Sequence, residues 1–202
     1  DVGYGIERIT WLTQKTPTAF HAVFGSNMVS KFFNKLGISE PDKEFMYVAS
    51  IYSGKIDPSD PKTIDSFIDR VSKELGRNRV DVEETFRQLV NVFSVLDHTK
   101  TLALMLGDGI VPSNTGEGYL ARLVLRRIMR TLARLKTDVS LRELIMLQIE
   151  RWGNTFKSIG RNQRYILDVI DFEEERYREN IKRAPVIIKR YSGGGLSLDD
   201  LI

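Results

Sequence analysis

Apolar residues return every three or four positions along almost the whole of this 202-residue chain, and long period-two alternation is missing. A helix turns about 100° per residue and a strand about 180°. A chain carrying only the first periodicity buries its apolar surface by packing helices on helices. The pattern therefore predicts an all-α fold, a multi-helix bundle or array. Hydrophobic residues at 42% and charged residues at 28% are ordinary for a globular protein.

Turn-formers punctuate the pattern. The spacing predicts a helix around Ile6–Leu12 that Thr16-Pro17 ends. A single helix is expected over residues 19–36, with Phe20, Val23, Phe24, Met28, Phe32 and Leu36 on one side and Gly37 as its C-cap. Residues 45–51 read as a short helix, residues 55–62 as a loop, and residues 63–75 as a helix ended by Gly76. The next helix is expected to be capped by Asp81 and to run towards Leu106. Further helices are expected at 116–135, 141–156 and 161–182, with Gly160 between the last two and Pro185 as a stop. Residues 192–195 read as a hinge, and Ser197-Leu198-Asp199-Asp200 as the start of another helix. The expected segments are 1–16, 17–191 and 192–202. A first residue that is not Met and a last one just inside a new helix make the sequence read as a piece of a longer polypeptide.

Several chemistries are excluded early. Cysteine is absent, so there is no disulfide, thiol nucleophile or Cys-ligated zinc. His21 and His98, the two histidines, are far apart in sequence, which argues against a histidine metal site. No uninterrupted apolar run approaches the roughly 20 residues of a membrane helix, and the N-terminus has no signal-peptide pattern.

Net charge is only +3, but its distribution is uneven. Between Val111 and Lys136 stand Arg122, Arg126, Arg127, Arg130, Arg134 and Lys136 against one acid, Glu117, a local net of +5. On a helical wheel the five arginines fall within about 140°, with Leu123 among them and Leu120, Val124, Ile128, Leu132 and Leu135 opposite. Such a face is either a solvated surface paired with neighbouring acids or a phosphate-binding one. Arginine suits the second role because its planar fork donates two hydrogen bonds at once. The corner before it, Gly107-Asp108-Gly109-Ile110-Val111-Pro112-Ser113-Asn114, leads into the helix. There Ser113 and Asn114 can serve as N-caps. Alternatively, an exposed Asn amide can meet a base edge in the shallow minor groove of RNA, its carbonyl oxygen accepting from the free amino group of guanine in a G·U pair.

At the other end, Asp1-Val2-Gly3-Tyr4-Gly5-Ile6-Glu7-Arg8 is a tight turn before a helix on its residues alone. It also resembles motif 3 of class II aminoacyl-tRNA synthetases, in the alanine-specific form. The segments Asp97-His98, Asp108-Gly109-Ile110-Val111-Pro112-Ser113-Asn114 and Gly118-Tyr119-Leu120-Ala121-Arg122, with the arginine helix, are similar to the tRNA-recognition region of alanyl-tRNA synthetases. Glu173-Glu174-Glu175-Arg176-Tyr177 matches a further position of that family. The Tyr119–Arg127 wording looks archaeal.

The resemblance implies a cytoplasmic, ATP- and Mg-dependent enzyme that makes alanyl-adenylate and passes alanine to tRNA. Arg8 would bind ATP phosphates and stabilise transition-state charge. Asp1, Gly3 and Gly5 would line the substrate site, with Asp1 on the alanine ammonium group. Asn114, with Ser113 beside it, would read the acceptor-stem G·U pair, and Arg122, Arg126, Arg127 and Arg130 would meet its backbone. It further implies that the main adenylate motifs precede Asp1, and that a second G·U-reading aspartate and then a metal-bearing editing domain follow Ile202. The segment alone is then inactive in aminoacylation. A stand-alone, non-catalytic helical RNA-binding module is the alternative reading.

Overall fold

A computed structural model describes residues 5–191, with side chains to Pro185. Among these residues there are ten helices and no strand, as the periodicity predicts: α1 Ile6–Gln14, α2 Ala19–Phe24, α3 Ser26–Leu36, α4 Lys43–Ser53, α5 Pro61–Leu75, α6 Arg79–Gly107, α7 Gly116–Leu135, α8 Leu141–Trp152, α9 Lys157–Arg161 and α10 Gln163–Tyr191. The chain forms two compact units, Asp1–Phe93 and Ser94–Ile202, with the boundary inside α6.

The first unit is built on aromatic side chains. Phe32, Phe33, Phe45 and Phe67 are almost fully buried. Phe20 stacks on Phe93 with ring centroids 4.3 Å apart, and Phe67 meets Phe86 at 4.6 Å. The single helix expected over 19–36 is two helices. Gly25 sits at φ 83°, ψ 148°, its N–H closing on His21 O at 3.0 Å, and α3 restarts at Ser26. That φ is open to glycine and strained for a residue with a Cβ. The loop expected to 62 ends earlier, because Pro61 takes the first helical position of α5 behind Asp60, which caps Lys62 N at 3.0 Å. For α6 the cap is Asn78, whose Oδ1 accepts from Val80 N at 2.8 Å, and Asp81 is merely a first-turn acid. No residue of α1 is buried, and Ile6 and Leu12 are exposed.

The second unit packs the later half of α6 with α7–α10 around Leu96, Leu102, Leu106, Leu125, Ile128, Leu141, Leu144 and Ile145. Gln148 of α8 is completely buried yet fully employed: Nε2 donates to Leu96 O (2.9 Å) and Thr99 Oγ1 (2.8 Å), and Oε1 accepts from Trp152 Nε1 (2.9 Å). A buried amide is tolerated only when its donors and acceptor are so matched. Here the match fixes α8 against α6. Three helix boundaries differ from expectation. α8 stops at Trp152 rather than 156, and α9 precedes α10. Pro185 lies inside α10, which continues to Tyr191. Proline forfeits one intrahelical bond without forcing an end. The hinge expected at 192–195 and the helix start at 197–200 lie outside the described residues.

By length and composition alone α6 is apolar enough to cross a membrane, although no uninterrupted run is. Half of the relevant window is buried inside the structure, which suits a core helix.

Candidate nucleic-acid interface

The corner between α6 and α7 is a built structure rather than a slack loop. At the end of α6 the N–H groups of Gly109 and Ile110 close on Leu106 O and Met105 O at 3.0 and 3.1 Å, with Gly109 at φ 89°. This is the glycine-terminated helix end. The chain then lies back along the first turn of α7. Ser113 N donates to Gly118 O at 3.0 Å, and Ser113 Oγ donates to Thr115 O at 2.7 Å. A Cβ on Gly118 would stand 2.1 Å from Val111 O and 2.5 Å from Ser113 Oγ. Only glycine lets the corner approach so closely. Neither Ser113 nor Asn114 is an N-cap. That position belongs to Thr115, whose side chain makes no capping bond.

The five arginines of α7 separate into different roles. Arg122, expected on the exposed cationic face, is 7% exposed. Its Nε and Nη2 donate to Glu173 Oε2 and Oε1 at 3.1 and 2.8 Å. Nη2 also donates to Pro112 O at 2.9 Å, and Nη1 to Asn114 Oδ1 at 2.5 Å. A guanidinium so occupied is withdrawn from any phosphate. The reason is geometric. Each i+4 step advances about 40° round the helix, so the row 122–126–130–134 slants, and its first member falls beside Leu125 and Met129 on the core side. The same rotation exposes Leu120 and leaves Val124 half-buried, against expectation. Arg126, Arg127 and Arg134 are exposed and make no ion pair among the described residues. Arg130 is half-buried. Burial raises the pKa of the Tyr177 hydroxyl on α10, and the charges of Arg130 and Arg126 pull it the other way.

Asn114 is exposed at the mouth of the corner. The oxygen expected to accept from guanine is turned towards Arg122 instead. Glu173, the acid that makes this possible, has no role in the reading of the residues alone. Its signal is present in the sequence. It stands seven residues after Ile166 and three after Ile170, both fully buried, so it occupies the apolar stripe of α10. A carboxylate in such a stripe demands a buried cation.

His98 of α6 is half-buried. Its Nδ1 is buried without a hydrogen-bond partner. Burial holds its pKa below the ordinary imidazole value, Arg127 pushes the same way, and Asp97 opposes them. The unfolded chain therefore binds this proton more readily than the folded one. Stability from this group is full above the unfolded value, about 6.5, and falls as pH drops from there towards the folded pKa. Urea unfolding at pH 7.5 and 5.5 is expected to show a larger acid loss for the parent than for His98→Gln; equal losses would refute the assignment.

At the N-terminus, Asp1 and Gly3 lie outside the described residues. Gly5 has φ 61° and the aliphatic stem of Arg8 packs over it. Arg8 is exposed and makes no ion pair among the described residues. No group of three or more potential metal ligands exists among the described residues.

Residues 1–194 match the family described as "tRNA synthetases class II (A)". The chain belongs to that family. It is 51% identical over 187 residues to an alanine–tRNA ligase of Saccharolobus islandicus, covering 93% of this chain and 21% of that protein. It is 48% identical over 203 residues to the alanine–tRNA ligase of Sulfurisphaera tokodaii and 47% over 204 to that of Ignicoccus hospitalis, covering 100% of the chain and 22% of each relative. The chain thus spans about a fifth of the length of the relatives it matches. The family match takes in both the glycine-rich start and the arginine helix, and the archaeal character read in the Tyr119–Arg127 wording agrees with these relatives.

Proposed function

We propose that this chain is the part of an alanine–tRNA ligase that grips the tRNA acceptor stem and reads its G·U pair, within an ATP-dependent enzyme that joins alanine to tRNA. The observation that carries the reading is the pairing of unneutralised, exposed Arg126 and Arg127 with an exposed amide, Asn114, held at the corner before them. Phosphate contacts fix the position of a nucleic acid, and a base-edge contact supplies selectivity.

The N-terminal stretch contributes to nucleotide binding in this reading. ATP, when bound with Mg, supplies the phosphoanhydride that activates the amino acid. Arg8 is the residue here that would hold its phosphates, being an exposed cation without a competing carboxylate among the described residues. Gly5, at φ 61°, lets the chain turn into α1 just ahead of it. Asp1 and Gly3 would complete the alanine site. The 202-residue chain alone is expected to give no ATP–pyrophosphate exchange. Measurable exchange would refute this division of labour.

The decisive test compares acceptor-stem minihelices carrying G·U or G·C at the same position, with the protein at full length. Asn114→Ala is expected to remove about tenfold of the preference for G·U, the worth of one well-made hydrogen bond. Equal losses on the two stems would reduce Asn114 to a structural element of the corner.

A further inference from the structure

The direction of the Asn114 amide is fixed by chemistry rather than by a choice between similar atoms. Arginine carries donors only, so the amide atom 2.5 Å from Arg122 Nη1 is the oxygen. The Nδ2 group, with two donors, has no protein acceptor among the described residues. Arg122 in turn cannot swing. Glu173 holds its Nε and Nη2, and Pro112 O takes a further bond from Nη2. Both charged partners are buried, at 7% and 6% exposure. Two helices and the corner thus converge on one exposed side chain.

We infer that Arg122 and Glu173 are a positioning pair that presents Asn114 to the RNA as a hydrogen-bond donor, so that the atom it reads is an acceptor, a base carbonyl oxygen or ring nitrogen, and not the guanine amino group. The inference rests on the proposed reading of the acceptor stem and deepens it. A freely rotating Asn could offer either end of its amide and would discriminate poorly. An Asn whose oxygen is already taken offers its N–H groups in one direction. Arg122 does this without touching phosphate, so its removal separates selectivity from affinity.

The test uses the full-length protein and the same two minihelices, reading the ratio of their dissociation constants. Asn114→Asp keeps an oxygen for Arg122 but has no N–H to give, and is expected to lower the ratio by about tenfold, as Asn114→Ala does. The double variant Arg122→Met with Glu173→Met replaces a buried ion pair by apolar side chains, an exchange that folded proteins often accept. It is expected to lower the ratio similarly, to leave affinity for the G·C stem within twofold, and to add no further loss in an Asn114→Ala background. Should it fail to fold, Arg122→Lys, which keeps the charge but loses the planar fork, is read by the same criteria. An Asn114→Asp protein that keeps the ratio would show the oxygen to be the reader. A folded double variant with an unchanged ratio would make the pair purely structural. Either result overturns the inference and leaves the acceptor-stem reading standing. If Asn114→Ala itself leaves the ratio untouched, that reading falls and the inference with it.

Discussion

Glu173→Ala is expected to lower the unfolding free energy of the second unit by about 3–5 kcal/mol, the cost of stripping one partner from a buried ion pair. The guanidinium left behind is 7% exposed and is deprived of the acceptors of its Nε and one Nη2 bond, retaining only the Pro112 carbonyl and the Asn114 oxygen. Neither neutralises a charge. The reverse truncation, Arg122→Ala, belongs at the lower end of the range. It leaves Glu173 with a second cation, Arg176 Nη1 at 3.7 Å, whose side chain is half exposed. Whole domains are stable by about 5–15 kcal/mol, so the loss consumes much of the margin. Urea unfolding followed by tryptophan fluorescence measures it, and Trp152 reports from within the second unit. An unchanged m-value confirms that only stability moved. A loss under about 1 kcal/mol would mean that the pair behaves like a solvated surface bridge despite its burial.

The apolar stripe makes the helical regions legible in the sequence, though not every break within them. The spacing predicts a basic helix over 116–135, and α7 spans those residues. Its rotation is not legible. A wheel centred on the arginines assigns Arg122 outward and Leu120 inward, and the structure reverses both. The wheel cannot see that Arg122 has a carboxylate partner 51 residues away in α10. With that partner, a cation at the margin of the stripe buries; without it, the same residue would face water. The break at Gly25 is hidden for a different reason. The apolar spacing continues across it from Phe24 to Met28, and a stripe carries no record of a single φ of 83°. Pro185 is the converse case, a local breaker overruled because a long helix survives the loss of one bond. The site divides in the same way. The corner, its glycines and Asn114 are visible as types of residue in tight spacing, whereas the direction of the Asn114 amide arises only from tertiary packing.

Replacing Arg126 and Arg127 together by alanine is expected to weaken acceptor-stem binding about 10- to 100-fold near 0.1 M salt, alike for G·U and G·C stems. Each phosphate no longer neutralised should also flatten the dependence of log affinity on log salt by about 0.7–0.9, so the pair removes roughly 1.4–1.8 from the slope. These two residues are the appropriate probes because they are exposed, make no ion pairs among the described residues and bury nothing when truncated. The fold should therefore be untouched, and any weakening belongs to the RNA. Arg122 supplies the internal control. It lies on the same helix and in the same i+4 row, but it is buried, so its removal should change selectivity and leave the salt slope alone. Titration of both minihelices at three salt concentrations separates the two behaviours. If the Arg126/Arg127 variant binds with the parent's affinity and slope, the exposed guanidinium groups meet only water, and the cationic face is a solvated surface. If substitutions at Arg122 and Arg126 instead lower the slope equally, the corner opens on the RNA and the Arg122–Glu173 pair is released on binding. The magnitude of the slope change thus distinguishes a face that meets phosphate from one that merely carries charge.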